Sequence, residues 1–236
     1  MTDEAPDPRS GPVAALRWFL TTDHAGVAFL REALASASAV LAIGVLLFLV
    51  SGVWPPLVAV ESGSMRPHMQ VGDLVFVMDE HRFVPQEAVA DTGVVPFQVG
   101  ADTGYRSFGT YGDVIVYQPP TRAGPPIIHR ARFYVTAGEN WVADANPAYL
   151  GDRTCADLPT CPASHAGFIT KGDANPYYDQ VQGIAPVVAP AWIRGTAEVS
   201  VPWLGHVRLA FDAIQAPPPI GDRTTRTQAP PPTLPA

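Results

Sequence analysis

Two serines one residue apart, a histidine set between isoleucine and arginine, and two aspartates six residues apart are the side chains of this 236-residue chain best placed to do chemistry. Ser64 stands in V-E-S-G-S-M-R-P, ahead of a Gly72-Asp73 turn. A serine hydroxyl is a weak nucleophile until an adjacent base takes its proton. Gly63 permits close backbone approach to a substrate. Ser62 sets a second hydroxyl beside the Ser64 N–H, a pair suited to stabilising a developing oxyanion. A plain Ser/Gly turn explains the same residues equally well. His129, in I-I-H-R on a strand-like run, is a candidate base held by rigid backbone. A buried, hydrogen-bonded core histidine is the plain alternative. His68, four residues after Ser64, competes for the base role, whereas His24, His81, His165 and His206 lack a comparable setting. Asp173 and Asp179, in T-K-G-D-A-N-P-Y-Y-D, expose two carboxylates at a turn. One of them could orient the imidazole and stabilise its cation; an ordinary Asx turn is the plain alternative.

The elements that must position these groups can be read from the hydrophobic pattern. Residues 33–60 carry no charge, and A-V-L-A-I-G-V-L-L-F-L-V-S-G-V-W (39–54) has no polar face. About 20 apolar residues cross the hydrocarbon core of a bilayer, so a transmembrane helix is expected over 33–56. Arg9, Arg17 and Arg31 precede it, and Arg66 is the next basic residue. The positive-inside rule therefore places 1–32 in the cytoplasm and everything after the span outside. Beyond it, L-V-F-V-M after Gly72-Asp73, V-I-V-Y after Gly112-Asp113, I-I-H-R-A-R-F-Y-V, G-F-I-T-K and A-E-V-S-V-P-W-L-G-H-V-R-L-A-F read as strands between Gly, Pro and Asp turns. The expectation is a mainly β domain over 57–215, with surface insertions near 79–110 and 139–166. The Pro-rich ends, 1–12 and 216–236, have the composition of disordered segments.

Composition narrows the function. The net charge of −7 argues against a nucleic-acid partner, which requires a basic face. Fourteen of the fifteen basic residues are Arg, and Lys171 is the lone lysine. Cys155 and Cys161, outside the membrane, suit a disulfide. With His165 they offer only three strong zinc ligands, so no metal is expected.

Taken in order, these fragments resemble signal peptidase I, in the branch found in archaea and the endoplasmic reticulum. S-G-S-M-R-P resembles its nucleophile box, G-D-V-I-V-Y the strand box, I-I-H-R the histidine box, K-G-D-A-N-P-Y-Y-D the aspartate box and I-R-G-T-A-E-V-S-V-P-W-L-G-H-V the terminal box. The boxes cover 58–210 in family order behind one span. The resemblance implies a signal-peptidase-type β-rich catalytic fold with Ser64 as nucleophile, His129 as general base, Asp179 as its partner and Asp173 as a supporting carboxylate. It implies removal of signal peptides from secreted preproteins after small residues, at the outer face of the plasma membrane, without a cofactor. The translocation machinery is an expected neighbour. The bacterial branch uses a lysine base, but Lys171 lies in the aspartate box and not at the position of His129. This chain departs from the family in having His68 where Thr is commoner, D-A-N for D-N-N, and two longer insertions. Two other readings stay open: a peptidase dedicated to a few surface proteins, and an inactive membrane-anchored assembly subunit.

Overall fold

The computed structural model describes residues 11–120 and 122–215. The two segments expected to be disordered lie largely or wholly outside the described residues. Two helices come first, α1 (Pro12–Thr21) and α2 (Ala25–Ser51). The hydrophobic pattern predicts no element where α1 lies. Pro12 suits its first turn, and Arg31 Nη1 donates to the carbonyls of Leu20 (2.7 Å) and Thr22 (3.5 Å) at its C-terminal end.

Helix α2 has 27 residues and is long and apolar enough to cross a membrane; its most apolar stretch is wholly unburied by the rest of the chain. At 1.5 Å per residue it is roughly 40 Å long. It begins before the uncharged stretch and stops at Ser51, short of the expected 56. Gly52, at φ +79°, ends it in the left-handed conformation open to a residue without a Cβ. The helix end is fastened to the domain beyond it. Ser51 is fully buried, and its Oγ donates to the Val77 carbonyl at 2.7 Å. Arg82 Nη1 donates to the Leu49 and Val50 carbonyls at 2.5 and 3.0 Å.

The remaining elements, in chain order, are β1 (Leu57–Ala59), β2 (Leu74–Met78), α3 (Phe97–Thr103), β3 (Arg106–Ser107), β4 (Thr110–Tyr111), β5 (Val114–Tyr117), β6 (Ile127–Val135), β7 (Gly167–Lys171), α4 (Asp179–Gln182), β8 (Ile193–Val201) and α5 (Gly205–Gln215). Six strands form one antiparallel sheet in the order β1-β2-β8-β5-β6-β7, and β3 pairs with β4 as a separate hairpin. The architecture is thus mixed helix and sheet, with an antiparallel sheet behind one apolar N-terminal helix. The largest departure from the expected strands is α5: Pro202 and Gly205 break the β pattern, and Val207, Phe211 and Ile214 recur at helical spacing.

Neither insertion is a surface appendage. From the first, Val94 and Val95 are fully buried, and Val94 packs with Ile115, Tyr117 and Phe168. From the second, Trp141, Leu150 and Leu158 pack with Phe133, Ile169 and Tyr178 in a core of their own beside β6 and β7. Their apolar residues lack a regular period because the segments are turns broken only by short elements such as α3 and β3, which hides burial from a pattern reading. Cys155 and Cys161 form a disulfide within the second insertion, with Cα atoms 5.0 Å apart.

Cover on both sides also changes β6. Alternation predicts one open face for Ile128, Arg130 and Arg132, yet Arg130 is completely buried beside a buried His129.

Candidate active site

The link from β1 to β2 carries Ser64 on a tight turn. Met65 and Met69 are buried with Val75, Val77 and Val114 and anchor that turn in the core. The Ser64 hydroxyl lies 3.1 Å from the Ser62 hydroxyl. The Ser64 N–H has no hydrogen-bond partner among the described residues, whereas its carbonyl accepts from the Ala174 N–H at 2.8 Å. A Cβ on Gly172 would fall 2.8 Å from that same carbonyl, so the close approach of the two turns depends on a glycine there.

His129 projects from β6, opposite Ile115 of β5. Its Nδ1 lies 2.7 Å from Asp179 Oδ2, and both side chains are buried. The same carboxylate oxygen accepts from Tyr117 OH at 2.9 Å and Thr170 Oγ1 at 2.7 Å. Asp179 Oδ1 is buried without a hydrogen-bond partner among the described residues. Burial, and then the charge of Asp179, raise the Tyr117 phenol well above its ordinary range, so this group stays a donor. Gln180 fixes Thr170 in turn: its Oε1 accepts from the Thr170 N–H at 3.1 Å, while its Nε2 donates to the Pro186 carbonyl at 2.9 Å. With Nδ1 committed to Asp179, Nε2 is the ring nitrogen left for proton transfer.

Asp173, expected as a nearby supporting carboxylate, meets a different histidine, His68. Arg130 grips its two oxygens from Nε at 2.9 Å and Nη2 at 2.7 Å. His68 Nδ1 lies 2.8 Å from Asp173 Oδ2. Burial opposes ionisation of Asp173, but the hydrogen bonds and charge of Arg130, with help from His68, hold its carboxyl below the ordinary value. The Arg130 Nη1 donates to the Gly112 carbonyl at 2.6 Å and to Ser107 at 3.1 Å. In sequence either aspartate can be assigned to either histidine. The β6–β7 register decides: it pairs Arg130 with Lys171, which brings the turn after Lys171 to Arg130.

Lys171 is buried, with Nζ donating to the carbonyls of Gly172, Asp173 and Asn175 at 2.9, 3.3 and 2.6 Å. Burial lowers its pKa from the ordinary lysine value, but its donors are spent on holding the 172–175 turn.

A cavity of about 910 Å³ gathers Ser62, Ser64 and His129 on one lining. It reaches Val53 and Trp54, just past the end of α2. His68, Asp173 and Lys171 do not line it. The His165 ring lies 5.2 Å from that of Trp192.

Searches of the sequence against protein-family models and against curated proteins return no match.

Tyr117, Thr170 and Arg130 are the residues near the site that sequence reasoning did not single out. Tyr117 had a signal: a buried tyrosine in an apolar strand needs a partner for its hydroxyl. Thr170 and Arg130 had none, because their partners come from distant segments.

Proposed function

We propose that this chain is a membrane-anchored serine endopeptidase of the signal peptidase I type. The observation that carries the reading is one cavity, opening beside the end of α2, that holds Ser62, Ser64 and a histidine oriented by the buried Asp179. In this reading the N-terminus is cytoplasmic, and the cavity lies at the outer face of the bilayer, where the cleavage site of a preprotein emerges. Substrates are signal peptides cut after small residues, delivered by the translocation machinery.

The Ser64 hydroxyl leaves Ser62 by rotation of its side chain and attacks the scissile carbonyl as His129 Nε2 takes its proton. Asp179 holds the ring and stabilises its cation. The Ser64 N–H and the Ser62 hydroxyl donate to the tetrahedral oxyanion, each contributing about 3 kcal/mol. His129 returns its proton to the leaving amine as the C–N bond breaks. Water, deprotonated by the same histidine, then releases the acyl group from Ser64.

The test is cleavage of a model preprotein by the detergent-solubilised full chain beside Ser64→Ala. Wild type should cut at one site after a small residue, and Ser64→Ala should not cut. Equal activity in the two, or none in either, would remove Ser64 chemistry from consideration.

A further inference from the structure

His68 is the second histidine held by a carboxylate, and the peptidase mechanism makes no use of it. Its backbone belongs to the nucleophile turn: the His68 N–H donates to the Met65 carbonyl at 3.0 Å. Its Nδ1 meets Asp173 Oδ2 at 2.8 Å, with the two side chains 27% and 7% exposed. Asp173 is itself immobilised. Arg130 binds both its oxygens and reaches the carbonyls of Ser107 and Gly112 with its third nitrogen. Lys171 holds the main chain on either side of it. The ring edge of His68 faces Gly109, in the turn between β3 and β4, where an added Cβ would lie 3.4 Å from Cδ2. Three segments that are remote in sequence therefore meet at this histidine: the 64–69 turn, the 107–112 turn and the 172–175 turn. The turn bearing Ser64 has two polar ties to the rigid 172–175 turn, the Ala174 N–H on the Ser64 carbonyl and the His68 side chain on Asp173.

We propose that His68 is a positioning residue for Ser64, latching the nucleophile turn to the fixed Asp173–Arg130 pair. The inference rests on the peptidase reading and extends it. His68 does not share the cavity with Ser64 and His129, so its effect passes through the backbone of residues 64–68. A displacement of about 1 Å in a reacting group costs on the order of 10²-fold in rate. Binding of the substrate by the rest of the cavity would be untouched, so the loss falls on kcat and not on KM.

Nitrogen position gives a test that separates latch, base and filler. The Asn side-chain amide places its N–H close to where imidazole Nδ1 lies, whereas the Gln amide matches Nε2. Steady-state cleavage of a model preprotein by the full chain in detergent is to be measured for wild type, Ser64→Ala, His68→Ala, His68→Asn and His68→Gln, with a thermal melt of each. His68→Ala should lower kcat by about 10²-fold at nearly constant KM. His68→Asn should return it to within about tenfold of wild type, because its amide N–H restores a hydrogen bond to the Asp173 carboxylate. His68→Gln should stay near the alanine variant. Should His68→Ala fail to fold, the Asn and Gln pair carries the same contrast. Wild-type kcat in His68→Ala, or equal kcat in Asn and Gln, overturns the latch. Loss of all turnover in a folded His68→Asn would make His68 a base and equally overturn it. Wild type no better than Ser64→Ala would sink the peptidase reading, and the latch with it.

Discussion

Asp179 Oδ2 receives Tyr117, Thr170 and His129, while Oδ1 receives no hydrogen bond from the described residues. The three donors hold the carboxylate to one orientation and so fix which ring nitrogen of His129 remains for chemistry. Tyr117→Phe keeps the ring in the core and deletes one donor. A hydrogen bond to a charged group contributes roughly 1.5–3 kcal/mol. If that falls on orientation of the imidazole, kcat for preprotein cleavage should drop by about tenfold or more, with the fold intact by circular dichroism. His129→Ala should lose several orders of magnitude, since the serine depends on its base. A Tyr117→Phe enzyme as fast as wild type would mean that Thr170 alone suffices to hold Asp179. Ser62, Ser64, His129 and Asp179 stood out in the sequence as candidates, each with a plain alternative, and only the order of their stretches in the family resemblance paired them; the fold brings Ser62, Ser64 and His129 to one cavity and Asp179 to His129. The partner of Asp173 was not legible, because nothing local distinguishes His68 from His129 as the recipient of either carboxylate; only strand register does.

The strands β2, β5, β6 and β7 were readable for a simple reason: each is a short apolar or alternating run, and β2 and β5 each come directly after a Gly-Asp turn. Helices α1 and α3 are brief, and α5 continues directly from a strand pattern, so their helical spacing was masked. The first insertion shows what pattern reading lost. It is held to β5 through Asp113, whose carboxylate accepts from the Val95 N–H and the Tyr105 hydroxyl, both at 2.8 Å. Burial raises the Asp113 carboxyl from the ordinary 3.8 to about 6, against the lowering effect of those two hydrogen bonds. Linkage sets the sign. A carboxyl that binds its proton more tightly when folded adds stability in acid, and loses that contribution as pH rises through the folded value. Between pH 4 and 7 its effect on unfolding free energy should therefore fall with rising pH. Asp173, held below the ordinary value, acts in the opposite sense and below that window. Asp113→Asn should flatten the urea midpoint between pH 4.5 and 7.5 relative to wild type; an unchanged pH slope would show that Asp113 ionises freely in the folded chain.

For the whole molecule the first question is orientation. Arg17 and Arg31 precede the uncharged part of α2, and the next basic residue, Arg66, lies beyond it. The expected topology is N-terminus inside, sheet outside. Protease added to intact spheroplasts expressing the chain should digest the sheet domain and leave an N-terminal tag protected. A protected domain with a digested tag would put the cavity on the cytoplasmic face and contradict the proposed substrate. The joint between α2 and the sheet then takes on a mechanical meaning. Ser51 is tied to β2, and Arg82 to the last carbonyls of the helix, with Gly52 as the left-handed turn residue that ends the helix. A membrane-spanning helix joined this way acts as a depth gauge. In the proposed reading it would set one altitude for the serine above the lipid. On that reading only bonds that a substrate's own apolar segment presents at that altitude would come within reach, so the stretch of chain between a signal's hydrophobic core and its scissile bond would be measured by the joint as well as read by the cavity.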